Sequence, residues 1–228
     1  MRAMILAAGR GERMRPLTDD TPKPLLSVGG KPLIQYHIEA LADCGIREIV
    51  VNVSWKGALL KERLGDGSRF GVRLLYSDEG EHALETGGGI LNALPLLGTE
   101  PFIVVSGDVW TTFPFTSLRN RPDGDDLAHF VLVPNPSFHA HGDFSLRSGR
   151  VGDDDGARYT YANIGVFRPA FFAGCQPGRF PLAPVMRRRI AEGRVSGELY
   201  LGSWRNVGTP EQLAELDREL RQNSRNRE

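Results

Sequence analysis

Residues 3–8, Ala-Met-Ile-Leu-Ala-Ala, are apolar without a break and run straight into Gly9. A short segment that is apolar on both faces fits a strand buried inside a parallel sheet. The next segment constrains the chain further. Residues 9–31 contain Gly9, Gly11, Gly29, Gly30, Pro16, Pro22 and Pro24. Each proline removes a backbone donor and disrupts helical pairing, so this segment is a long loop rather than a helix. Loops of that length inside a compact domain are mostly functional.

The rest of the first half alternates between buried strands and helices. Leu33, Ile34, His37, Ile38 and Leu41 recur with helical period over 33–43, and Gly45 sits where a helix-ending glycine belongs. Strands are expected at 49–53, 72–76 and 102–105. Helices are expected at 56–64 and at 87–97, the latter entered through Gly87-Gly88-Gly89. This rhythm predicts a Rossmann-like α/β fold, a mixed and mostly parallel sheet flanked by helices. The second half is less regular. Strand candidates are 127–133, 143–147, 161–168 and 195–201, with helices near 181–192 and 210–222 and a fraying end from Arg221 onward. No linker divides the chain, so residues 1–228 read as one domain.

The 228 residues carry 28 basic and 28 acidic side chains. With no net charge, no bulk field favours nucleic acid or a membrane surface. The short run Arg187-Arg188-Arg189 reads as a solvated helix face. The first residues lack the length and cleavage pattern of a signal segment, and no stretch approaches a membrane span. Cys44 and Cys175 have no metal-type spacing and suit a reducing compartment. The expectation is a cytoplasmic protein.

The chemistry concentrates in two strings. Leu6-Ala7-Ala8-Gly9-Arg10-Gly11-Glu12-Arg13-Met14-Arg15-Pro16-Leu17 is followed by Thr21-Pro22-Lys23-Pro24. Glycines after a strand let successive N–H groups turn toward an anion, and Arg10, Arg13, Arg15 and Lys23 add positive charge, a combination suited to a triphosphate. A Walker loop needs Gly-Lys-Ser/Thr, which does not occur. A dinucleotide fingerprint needs a third small residue where Met14 stands, and a helix that the prolines forbid. The second string, Ser106-Gly107-Asp108, ends a buried strand. Ligands of open α/β sheets bind there, and a carboxylate facing a triphosphate suits Mg²⁺. Glu85-Thr86-Gly87-Gly88-Gly89 would allow close approach to a base or sugar. Thr209-Pro210 reads as the cap and first residue of a last helix, with Asn206 just before it.

The strings L-A-A-G-R-G-E-R-M-R-P-L-T, T-P-K-P-L, S-G-D and W-x-N-V-G-T resemble the sugar-nucleotide pyrophosphorylases, nucleotidyltransferases that join a nucleoside triphosphate to a sugar 1-phosphate. Within that family, L-E-T-G-G-G-I, G-D-V-W and H-G-D-F most resemble bacterial uridylyltransferases acting on N-acetylmuramate α-1-phosphate in cell-wall recycling. The resemblance implies UTP and a sugar 1-phosphate as partners and Mg²⁺ as cofactor. It implies a nucleotide-binding half at 1–112 and a sugar-binding half at 113–228. Arg13, Lys23 and Asp108 match catalytic positions. Leu6, Ala8, Gly9, Gly11, Glu12, Gly88, Ser106 and Gly107 join Arg13 and Lys23 around the nucleotide. Glu85, Gly142, Asp143, Asn163 and Gly165 match sugar contacts. Asp108 and Asn206 match the metal ligands, although the family typically has aspartate at the second position and an amide oxygen binds more weakly. The added dimerisation or β-helix domains of some members have no counterpart, which implies a monomer.

Other readings stay open. The same chemistry could use GTP or dTTP with mannose, heptose or glucose 1-phosphate. A non-catalytic regulatory paralogue is argued for by Asn206 alone. His139 and His141 could pair on a metal but read more simply as loop residues. Trp55, Trp110 and Trp204 read as core or rim aromatics, and Trp110 lies close enough in sequence to Asp108 to touch the sugar. An N-acetylmuramate substrate carries a carboxylate and calls for a cation near Gly142.

Overall fold

The computed structural model describes residues 1–225. Its first strand, β1 (Ala3–Leu6), is the apolar run that opens the sequence. The loop after it makes short turns at Glu12–Met14 and Lys23–Leu25 and then a small ribbon of β2 (Ser27–Val28) and β3 (Lys31–Pro32). Helix α1 (Leu33–Asp43) buries Leu33, Ile34, His37, Ile38 and Leu41, the spacing that one helix face requires. Strand β4 (Glu48–Val53), helix α2 (Gly57–Leu64), strand β5 (Arg73–Asp78), helix α3 (Glu85–Leu97) and strand β6 (Phe102–Ser106) complete the alternating half.

The second half holds β7 (Val109–Thr111), β8 (Ala128–Val133), β9 (Phe144–Arg147), β10 (Arg150–Gly152), β11 (Arg158–Phe167), helix α4 (Ala183–Ala191), β12 (Val195–Leu199), β13 (Trp204–Asn206) and helix α5 (Pro210–Arg225). Thr209 caps α5 as expected: its Oγ1 accepts the Gln212 N–H at 3.3 Å.

One 9-stranded sheet runs through both halves in the order β5-β4-β1-β6-β11-β8-β12-β10-β9. Pairing is parallel along β5-β4-β1-β6 and between β12 and β8. It is antiparallel wherever β10 or β11 takes part, so these two alone run against the rest of the sheet. On one face, α1 and α2 close over Ile5, Val51, Ile103 and Val105. On the other, α3 and α4 cover Met4, Val50, Val104 and a knot of aromatic rings, Phe102, Phe130, Phe144, Phe167, Phe171 and Phe172. Phe102 stacks on Phe167, and the other rings in contact meet edge-to-face or tilted, as at 5.0 Å between the centroids of Phe167 and Phe171.

Several expectations change here. The triple glycine does not lead into a helix; it lies within α3, which starts at Glu85. A Cβ on Gly88 would stand 2.2 Å from the Gly178 carbonyl oxygen, and one on Gly87 2.5 Å from the Phe180 ring. The glycines therefore let the 178–180 segment seat against the helix. The run at 187–189 is not a uniform solvated face: Arg189 is buried, donating to the carbonyls of Phe171 and Ala173 and pairing with Glu192. His139 lies in a short turn, in keeping with the loop reading rather than with a pair of histidines on one strand face. Strand β10 and the β7–β13 ribbon were not expected from the sequence. Helix α5 continues through Arg225, and the remainder of the expected fraying end lies outside the described residues.

Candidate active site

The strands β4 and β5 stack outward on one side of β1, and the chain then crosses to place β6 on its other side. Crevices for ligands form at the carboxyl ends of strands where the winding reverses in this way. The glycine-rich loop leaves β1 and Ser106-Gly107-Asp108 leaves β6, so the fold brings both sequence motifs to this one place.

Gly11 holds the loop in a left-handed turn (φ 68°), and an added Cβ there would crowd the Lys23 and Thr18 side chains at 3.2 and 3.1 Å. This packing fixes Lys23, whose side chain is 9% exposed and whose Nζ lies 2.8 Å from Asp108 Oδ2. Ser106 Oγ donates to Asp108 Oδ1 at 2.7 Å. Burial works against the charged form of Asp108. The Lys23 ammonium, its hydrogen bond and that of Ser106 outweigh it and hold the carboxyl below the usual range. Lys23 and Asp108 thus neutralise each other across the crevice, and both charges can be redirected to a ligand. Leu6, Ala8, Gly9, Gly11, Glu12, Arg13, Ser106 and Gly107 line the same cleft.

Two residues of this cleft went unrecognised in the sequence. Asn52 Oδ1 accepts the Ala7 N–H at 2.7 Å, and its Nδ2 donates to Glu79 Oε1 at 2.6 Å. Glu79 Oε2 in turn accepts the Leu84 N–H at 2.7 Å. A partly buried relay therefore ties the loop after β1 to the entrance of α3. The signal for Asn52 was visible, a lone amide inside the apolar run 49–53; Glu79 carried none.

A second cleft adjoins the first and shares Arg13 and Thr86 with it. Asp143, Asn163, Asn206, Phe138, Tyr161 and Arg187 contribute to its wall. Asp143 is held there by the Tyr161 N–H at 2.8 Å and by His139 at 3.0 Å. Asn163 keeps φ at 57°, left-handed for a non-glycine residue.

Some expected site residues lie elsewhere. Gly88 is packed beneath Gly178, its N–H donates to the Phe180 carbonyl, and it does not line the cleft of Lys23 and Asp108. Gly165 sits mid-sheet between Val104 and Phe130, where a Cβ would meet the His129 carbonyl. Glu85 lines the cleft of Lys23 and Asp108 rather than the one that holds Asp143 and Asn163, and pairs with Arg179 at 3.0 Å. Gly142 forms the turn beside Asp143, with its Cβ position filled by Asn135. Trp110 packs edge-on to Tyr36 in a third apolar cluster and faces neither cleft.

A metal at this site would need oxygen ligands. Among the described residues no three or more His, Cys, Asp or Glu side chains converge to hold an ion. Asp108 nonetheless offers an ionised carboxylate that is 34% exposed. Asn206 pairs with Val109 across the β7–β13 ribbon, and the Val207 N–H donates to the Asp108 carbonyl at 2.8 Å. One carboxylate is no full cage, but it fits Mg²⁺, which binds through one or two protein oxygens together with phosphate oxygens and water; Asn206 lines the neighbouring cleft rather than the one that holds Asp108.

Comparison with known proteins agrees with this arrangement. The family model described as nucleotidyl transferase matches residues 2–142. The chain is 49% identical over 222 residues to N-acetylmuramate alpha-1-phosphate uridylyltransferase of Neisseria meningitidis serogroup B, covering 94% of this chain and 96% of that protein. It is 36% identical over 223 residues to the protein of the same name from Caulobacter vibrioides, covering 92% of each. Among solved structures, UDP-glucose pyrophosphorylase complexed with UDP-glucose superposes with a TM-score of 0.80 at 18% identity, covering 97% of this chain and 98% of that one. The inositol-1-phosphate CTP transferase of T. maritima gives 0.78 at 20% identity, covering 97% and 94%. These two show the shared fold. No helix among the described residues is long and apolar enough to cross a membrane. With a family model spanning more than half of the sequence and relatives matched almost end to end, this chain belongs to the nucleotidyl transferase family.

Proposed function

We propose that the protein transfers UMP from UTP to a sugar 1-phosphate, N-acetylmuramic acid α-1-phosphate, releasing pyrophosphate. The observation that carries the chemistry is the Lys23–Asp108 pair at the crevice between β1 and β6, beside a loop built to receive phosphates. The choice of sugar and base is supported by the names of the two relatives matched over nearly their whole length.

A phosphate oxygen of the sugar 1-phosphate attacks the α-phosphorus of UTP, a new P–O bond forms, and the bond to the β,γ-pyrophosphate breaks. The nucleophile is already ionised at neutral pH, since a phosphomonoester has a second pKa of about 6. The site therefore needs no general base. Its task is to hold two anions together and to neutralise the α-phosphoryl group. Lys23 supplies a fixed cation there, and the Asn52–Glu79 relay keeps the loop N–H groups in place. Arg13, which lines both clefts, is placed to bridge the two reactants. Mg²⁺ held by Asp108 and Asn206 would add charge neutralisation. The free thiols of Cys44 and Cys175 fit the reducing cytoplasm, where we place the reaction.

Pyrophosphate release, read across UTP, GTP and dTTP against N-acetylmuramic acid, mannose and glucose 1-phosphates, tests the reading. UTP with N-acetylmuramic acid α-1-phosphate is expected to give the highest kcat/KM. A preference for a guanylyl or thymidylyl pair would overturn the substrate assignment. UTP binding in calorimetry without turnover of any sugar phosphate would overturn the activity.

A further inference from the structure

The sugar-side cleft carries a cation that phosphate chemistry does not call for. Arg187 stands on the exposed face of α4 at the wall of that cleft, and it takes no part in the cleft that holds Lys23 and Asp108. Its guanidinium lies 5.6 Å from the centroid of the Phe144 ring, which limits where it can point. It pairs with Asp153, and the same carboxylate accepts Arg158 Nη2 at 3.0 Å. One carboxylate between two guanidiniums leaves the group with a net positive charge.

The remaining donors belong to Arg187. Arg158 is further committed to the carbonyls of Asp143 and Asp154. Arg187 gives only Nη1 to Asp153, and its side chain is 49% exposed. A guanidinium has a fork of N–H groups matched to a carboxylate. The one acid among the described residues of this cleft, Asp143, is already held by His139 and the Tyr161 N–H. Asp143 thus has its oxygens engaged on its own loop, while Arg187 keeps unspent N–H donors beside the apolar side chains of Phe138 and Phe144.

We propose that Arg187 selects a sugar 1-phosphate that carries a carboxylate substituent, by a charge-assisted hydrogen bond to that carboxylate. The assignment rests on the nucleotidyltransferase reading above. It is tested by the ratio of kcat/KM for N-acetylmuramic acid α-1-phosphate to that for N-acetylglucosamine α-1-phosphate, the same ring without the lactyl carboxylate. The ratio is measured with UTP and Mg²⁺ in the wild type, Arg187→Gln, Arg187→Lys and Asp153→Asn.

Arg187→Gln is expected to lower the ratio about tenfold or more, the usual size of a lost hydrogen bond to a charged group, through the KM of the acidic sugar rather than through kcat. Arg187→Lys recovers part of the ratio. Asp153→Asn removes the competing carboxylate and keeps or raises it. A wild-type ratio in Arg187→Gln overturns the assignment alone. So does an equal fall in Asp153→Asn, which would make Arg187 only a tie to the 153–158 loop. A wild-type protein inactive on both sugars overturns the proposed function and this assignment with it.

Discussion

The two clefts are built differently. On the nucleotide side the groups at the centre are locked, while Glu12 and Arg13 are exposed: Lys23 is almost fully buried and bonded to Asp108, and Asn52 and Glu79 bind each other and the backbone on either side. On the sugar side a buried floor of Phe144, Leu182, Met186 and Trp204 is rimmed by exposed side chains, with Phe138 58% exposed and Arg187 paired at the edge. The contrast follows from what each side must do. The triphosphate reaction is electrostatic and gains from groups that need no reorganisation. Recognition of one sugar among many depends on a few replaceable contacts at the edge.

That comparison can be broken most directly on its rigid side. Lys23→Ala and Asp108→Ala are each expected to lower kcat/KM by about 10²-fold or more, as lost electrostatic stabilisers do. Steady-state kinetics with near-wild-type turnover in either variant would show that the locked pair is structural only.

His37 sharpens the same side through pH. It is buried in α1, with Nε2 2.8 Å from the Val109 carbonyl that follows Asp108. Burial, only partly offset by that bond and by Asp108, pushes its pKa down from 6.5 to about 4. The folded state thus resists protonation that the unfolded chain accepts. Its contribution is complete above pH 6.5 and is lost as pH falls toward 4, to a total of about 3 kcal/mol. Thermal melts of the wild type across that window should show the slope, and His37→Gln, which keeps an N–H donor, should flatten it. An unchanged slope would place the acid sensitivity elsewhere.

Gly88 tests the join between the clefts. Gly88→Ala would force a methyl against the Gly178 carbonyl, which is 2.2 Å from the Cβ position. Overpacking of this kind costs about 1–3 kcal/mol, read as a lowered Tm. A Tm equal to that of the wild type would mean that the 178–180 segment yields freely. The smallest expected effect is at Asn206. Asn206→Asp should lower the Mg²⁺ concentration for half-maximal rate severalfold, since a carboxylate holds Mg²⁺ better than an amide. An unchanged Mg²⁺ titration would remove Asn206 from the metal site.

The same division governed what could be read before folding. Strands β1, β4 and β6 are covered on both faces, so their burial is written as apolar runs, broken inside only by Asn52 in β4, and the loops that leave β1 and β6 identify themselves by residue type. In the second half β10 and β13 are three residues each, too short to leave a period. The glycines of α3 were read as facing a ligand because the atoms that exclude their Cβ groups, in Gly178 and Phe180, are remote in sequence. The arginine run 187–189 could not be sorted into one buried cap and one cleft cation without the loops that surround α4. The β7–β13 ribbon, which ties the backbone of the 206–207 segment to Asp108 and Val109, was not foreseen.

The central claim is that the two clefts act together to move a nucleotidyl group. Phosphorus-31 NMR of the enzyme with Mg²⁺, UTP and N-acetylmuramic acid α-1-phosphate follows each phosphorus. The account predicts free pyrophosphate and a new sugar-linked diphosphate appearing in equal amounts as UTP and the sugar phosphate disappear. Unchanged UTP, or release of phosphate with the sugar 1-phosphate left intact, would contradict it.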